Sequence, residues 1–154
     1  MVSENYIKLR QQVLDYTNKD MNLTLDNDKQ VYIAVFDIPV ESIILNRESQ
    51  TLALIFGINT HLYFGDGAVL TDLEKNPNVM HAMQSLLISS HQVLDVMTKT
   101  ETPKYYPSKN IRAYLKTRKG IFFKELSGDT KEEQFLKALL NNVLAAVAQA
   151  IKWF

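Results

Sequence analysis

Apolar side chains from Val31 to Ile38 fall on both parities, with Val31, Ile33 and Val35 alternating with Tyr32, Ala34 and Phe36. That pattern predicts a strand covered on both faces, more central than edge, and closed by Pro39. Further on, Leu52 to Ile58 and His61 to Phe64 are two more apolar strands. The turn joining them, Gly57 to Thr60, is so short that they must pair antiparallel. Ile43 to Leu45 can extend either neighbour, Asn46-Arg47-Glu48-Ser49 reads as a turn, and Gly65-Asp66-Gly67 marks a break before a helix.

Three segments carry helical spacing. Ser3 can cap a helix whose stripe is Tyr6, Ile7, Leu9, Val13 and Leu14, ahead of the polar run Asn18 to Lys29. Asn76-Pro77 starts a second helix, because asparagine accepts from first-turn amides while proline at the first position loses no needed donor. Its apolar side, Val79, Met83, Leu86, Leu87, Val93, Leu94 and Met97, runs to about Thr98. Met80, Met83 and Met97 suit an adaptable groove, but core packing is the better account of Met83 and Met97. The third helix starts at the Thr130/Glu133 capping box, or at Asp129/Glu132 one residue earlier. It buries Leu136, Leu139, Leu140, Val143, Val147 and Ile151, with alanines filling much of the rest.

Between the second and third helices, Thr100 to Ser108 reads as a loop. Ile111, Ala113 and Leu115 then alternate with Arg112, Tyr114 and Lys116, a strand with one dry and one wet face, which Thr117 to Gly120 turns into Ile121 to Leu126. The expected fold is α+β in two layers: a five-stranded, mainly antiparallel sheet against two long helices plus an N-terminal helix, in the order α-β-β-β-α-β-β-α. No linker or repeat interrupts it, so residues 1–154 are read as a single domain. The layout resembles profilin-like and roadblock-like modules. HLYFGDGAVL and the hairpin IRAYLKTRKGIFF also resemble a family of small uncharacterised bacterial proteins over roughly residues 31–123, which implies a bacterial origin and no mechanism. That family tends to have three consecutive glycines where this chain has Gly65 and Gly67.

Seventeen basic and seventeen acidic side chains cancel, so no global field draws the chain to nucleic acid or an anionic membrane. The absence of cysteine removes disulfides, thiolate nucleophiles and cysteine metal sites together. The N-terminus is charged where a secretory signal would be apolar, and no run reaches the about 18 apolar residues of a membrane span. A cytoplasmic location is expected, with no membrane partner.

Candidate chemistry is sparse. His81 and His91 on one helix would sit roughly 80° and about 15 Å apart, too far to share a metal, so no metal or other cofactor is expected. His91 and Asp95 have i,i+4 spacing and are the alternative catalytic pair of a small hydrolase-like enzyme, with Ser89 or Ser90 as nucleophile. Gly65, Asp66 and Gly67 could offer backbone amides to an anion, although no lysine and hydroxyl residue follow as in a phosphate loop.

The stretch 104–124 holds seven cations and no acid, and leaves the remainder of the chain seven negative. Lys104, Arg112, Tyr114, Lys116, Arg118 and Lys119 are its partner-binding candidates. Interleaved aromatics fit a single-stranded nucleic-acid platform, but no RNP-type motif is present and the domain is not basic; an acidic protein partner fits equally well. The expectation is a non-enzymatic binding or regulatory domain, an accessory or immunity-like protein with a macromolecular partner. The alanine-rich last helix is a candidate homodimer contact, and Trp153 or Phe154 is expected to pack on the N-terminal helix or a second subunit.

Overall fold

The strand with apolar residues on both sides sits at the centre of the sheet, as its pattern requires. The computed structural model describes residues 2–42, 47–56 and 59–151 and, at 41, 42, 47 and 48, the backbone alone. Its elements are α1 (Glu4–Asp15), β1 (Ile33–Ser42), β2 (Arg47–Ile55), β3 (Asn59–Phe64), β4 (Val69–Leu70), α2 (Pro77–Ser89), β5 (Thr98–Thr100), β6 (Ile111–Thr117), β7 (Gly120–Leu126) and α3 (Lys131–Ile151). Short 3-10 segments lie at Leu73–Lys75 and Ser90–Val96. The sheet order is β4-β3-β2-β1-β6-β7-β5, every pairing antiparallel.

Register assigns each residue its face. Leu52, Phe36 and Ala113 stand side by side, as do Leu54, Ala34 and Leu115, and they join α2 and α3 in the larger core. Ala53, Val35 and Tyr114 form the equivalent row on the opposite face, where they pack with Tyr6, Val13 and Leu14 of α1. The class is α+β with an antiparallel sheet and three helices.

The expected two layers are therefore three, because α1 covers the face assigned to solvent. The sheet has seven strands and not five: β4 and β5 are two- and three-residue edge pieces. Two strands also run past their expected ends. β1 continues through Pro39 to Ser42, its register slipping there, so a bulge absorbs the missing amide. The expected turn residues Arg47, Glu48 and Ser49 are the start of β2. Residues 43–46, 57–58 and 152–154 lie outside the described residues, and with them the Ile43–Leu45 piece, much of the Gly57–Thr60 turn, and Trp153 and Phe154.

Local chemistry sets the helix ends. The side chains of Ser3 and Asn76 accept from Tyr6 N–H and from the Asn78 and Val79 amides, respectively. At α3, Thr130 Oγ1 accepts from Glu133 N–H at 3.2 Å. The Glu133 carboxylate takes the Gly128 amide at 2.7 Å; with the Thr130 hydroxyl, these bonds outweigh the upward push of burial and hold its pKa below normal. α2 stops at Ser89 and not near Thr98, since Ser90 Oγ donates to Leu87 O at 3.3 Å and the chain tightens to 3-10 winding. α3 is long and apolar enough, by length and composition, to cross a membrane; its Leu136, Leu140, Val143 and Val147 are buried in the larger core.

Candidate binding site

A charged row crosses the α1 face of the sheet. Thr51, Asp37 and Arg112 are successive partners on β2, β1 and β6, and Arg112 pairs onward with Glu125 of β7. Arg10 of α1 lies over this row with its Nε 2.9 and 3.0 Å from the two Asp37 oxygens and one terminal nitrogen 2.8 Å from Oδ2. Thr51 donates to Asp37 Oδ1 at 2.7 Å, and the Tyr6 hydroxyl bonds both Thr51 and Ser49. Arg10 and Asp37 are 1% and 0% exposed, so the pair is closed to ligands. Burial first, then the Asp37 charge, pushes the Tyr6 phenol up to about 12.

The 104–124 stretch does not form one basic surface. Arg112 and Tyr114 are buried, a correction to the wet face expected for β6. One Arg112 terminal nitrogen donates to Ser108 O at 2.9 Å and Asn110 O at 2.8 Å, and the guanidinium lies 5.6 and 5.5 Å from the Tyr105 and Tyr106 rings. Lys116 reaches the carbonyls of Leu14 and Tyr16, both at 2.6 Å, closing the C-terminus of α1 as a cation should. Arg118 pairs with Asp28 at 2.5 Å, and Lys119 lies 3.7 Å from the same carboxylate. Lys104 alone of the named cations is exposed and outside any ion pair among the described residues.

Gly65-Asp66-Gly67 is a turn that anchors α1. Gly65 N–H donates to Ser49 O and Gly67 N–H to Phe64 O, so these amides are committed, and Gly65 O accepts from Ser3. Gly67 has a φ of 98°, the left-handed region that requires glycine.

A cleft of about 690 Å³ opens between the 26–31 segment and the end of α2. Val31, Phe56, Leu87 and Ile88 supply apolar lining, and Asp28, His91 and Arg118 are among its polar residues. Two residues singled out from sequence, His91 and Arg118, thus meet in one place. His91 Nδ1 is 2.9 Å from Ile88 O, and 3-10 winding replaces the α-helical spacing that would have set Asp95 beside it. Asp95 does not line the cleft. Among the described residues no three His, Asp or Glu side chains converge as metal ligands.

Reading the sequence missed Arg10 and Asp37. The signal was there: a carboxylate between Phe36 and Ile38, in a strand apolar on both sides, needs a buried partner.

His61, half-buried on β3 and stacked on Tyr63 at 5.8 Å, has no hydrogen-bond partner at Nδ1. Burial lowers its pKa, against a smaller upward pull from Glu74 and Asp72. The unfolded chain then takes the proton more readily, so this site's stability is complete above the unfolded value near 6.5 and falls as pH drops towards the folded pKa. Urea midpoints from pH 7 to 5 should decline less for His61→Gln than for wild type. An unchanged slope would exclude burial of a neutral imidazole as its source.

No family model, curated protein or solved structure matches this chain.

Proposed function

We propose that the chain is a non-enzymatic binding or regulatory domain which receives a protein partner in the cleft between residues 26–31 and the end of α2. The observation that carries this reading is Ile88, 63% exposed at a cleft whose apolar lining is completed by Val31, Phe56 and Leu87. An apolar side chain so exposed beside an apolar recess favours a partner that covers it. Elsewhere the strongest polar groups brace the fold: Arg10 with Asp37, Arg112 with loop carbonyls, Lys116 with the end of α1. In this reading the protein is a cytoplasmic accessory or immunity-like protein of bacterial origin, working without metal or cofactor. A homodimer through α3 belongs to it too, supported by Ala138, Ala145 and Ala148 exposed on the outer side of that helix.

Ile88→Asp should cut retention of a host protein on the immobilised chain roughly tenfold or more, the scale of one lost apolar anchor, with the thermal midpoint unmoved. A charge reversal at exposed Lys131 should leave retention intact. Equal retention by wild type and Ile88→Asp would remove the cleft from consideration. A hydrolytic activity abolished by His91→Ala would instead establish the enzyme reading.

A further inference from the structure

We propose that a second groove, between α1 and the Pro103–Tyr105 segment, docks a short acidic segment of a protein partner carrying an apolar side chain. The groove is about 650 Å³, and its lining includes Ile7, Lys8, Gln11 and Asp15 of α1, with Lys104 and Tyr105 opposite. It shares no residue with the Asp26–His91 cleft and stands or falls independently of it.

Charge identifies the occupant. Arg10 also borders the groove, but Asp37 neutralises it behind the wall. Asp15 keeps its charge at the far end of the groove, where Gln11 donates to it at 3.0 Å and the Lys116 ammonium attracts it. Lys8 and Lys104 remain, exposed and in no ion pair among the described residues, one on each wall. Beside Lys8 on the α1 wall, Ile7 is 37% exposed. Two unpaired ammonium groups on facing walls, with Ile7 exposed beside one of them, complement a segment that carries carboxylates and an apolar residue.

The walls are also held in place before any ligand arrives, which lowers the ordering cost of binding. Arg10 donates to Pro103 O at 2.8 Å, tying the loop to α1. The Tyr105 ring meets Tyr6 edge-on at 5.5 Å and has Arg112 against it. That stacking leaves the ring a poor platform for a nucleobase. Two lysines are also too few for an anionic bilayer, which takes clusters of about four to eight.

The test uses an acetylated Glu-Leu-Glu-Leu-Glu peptide titrated into isotope-labelled full-length protein, with a Lys-Leu peptide and an eight-residue oligothymidylate as comparators. Amide shifts should concentrate at Ile7, Lys8, Gln11 and Tyr105, with a dissociation constant on the order of 0.1–1 mM. Lys8→Glu with Lys104→Glu should weaken binding about tenfold or more, while Lys29→Glu in the other cleft should not. Shifts centred on Ile88 and His91, binding indifferent to the double reversal, no binding at all, or equal binding of either comparator would each overturn the proposal. Both lysines are solvent-exposed, so the reversed variant keeps its fold; an unchanged amide spectrum verifies it.

Discussion

Asp37→Ala is expected to lower folding stability by about 3–5 kcal/mol, the cost of leaving a buried guanidinium without its counter-charge. Arg10 sits 1% exposed under α1, and its nearest relief from charge is the Asp37 carboxylate. The Pro103 carbonyl and the Tyr114 ring, 5.0 Å from the guanidinium carbon, compensate only in part. Thr51 would lose its acceptor as well. For a domain worth about 5–15 kcal/mol in total, that loss brings the variant close to unfolding at room temperature. Urea denaturation of the single variant and of Arg10→Met/Asp37→Leu separates the causes. Removing both charges in favour of apolar side chains should recover most of the loss, since the penalty lies in the orphaned charge and not in the missing bond. A single-variant loss below about 1 kcal/mol would show that the Arg10 charge finds solvent without Asp37.

Much of the fold was legible because its signals are local. Ser3, Asn76-Pro77 and the Thr130/Glu133 box each act within one helical turn, and each helix starts where they place it. Short connections likewise fixed the antiparallel pairing of β2 with β3 and β6 with β7. Elements below the length of any period were not legible: Val69–Leu70 and Thr98–Thr100 are strands only because β3 and β7 offer them an edge. The apparent end of α2 was hidden for a different reason. Val93, Leu94 and Met97 keep an apolar side through the change to 3-10 winding, so hydrophobic spacing alone could not locate it.

The site was less legible than the fold, since its residues are assembled across the sheet. Asp37 and Arg10 are separated by 27 positions, and Arg112 comes beside Asp37 only through the β1–β6 register. Alternation in β6 sets Arg112, Tyr114 and Lys116 on one face correctly; what it could not show was that α1 covers that face. His91 and Arg118 were picked out for unrelated reasons, a carboxylate at i+4 and a basic hairpin. They meet because the β6–β7 turn and the end of α2 flank the same opening.

Arg112 separates the surface reading of the basic hairpin from the buried one most sharply. Were it one cation on a solvated face, Arg112→Ala would change stability by no more than about 0.5 kcal/mol, as expected for exposed Lys109→Ala. Buried as it is, the substitution should cost about 3 kcal/mol: a large side chain leaves a cavity, two carbonyl bonds from a charged donor are lost, and two tyrosine rings lose their cation. These contributions overlap and do not simply add. Arg112→Lys should rescue only part of the loss: one nitrogen makes both bonds, to Ser108 O and Asn110 O, but an ammonium lacks the flat face that meets Tyr105 and Tyr106. Amide exchange should speed up first in the 101–110 segment, with the central strands protected until global unfolding. Because Tyr105 and Lys104 form one wall of the α1 groove, the same variant should lose the acidic peptide although it keeps both groove lysines. If Arg112→Ala proves as mild as Lys109→Ala, the clamp is not what holds that wall.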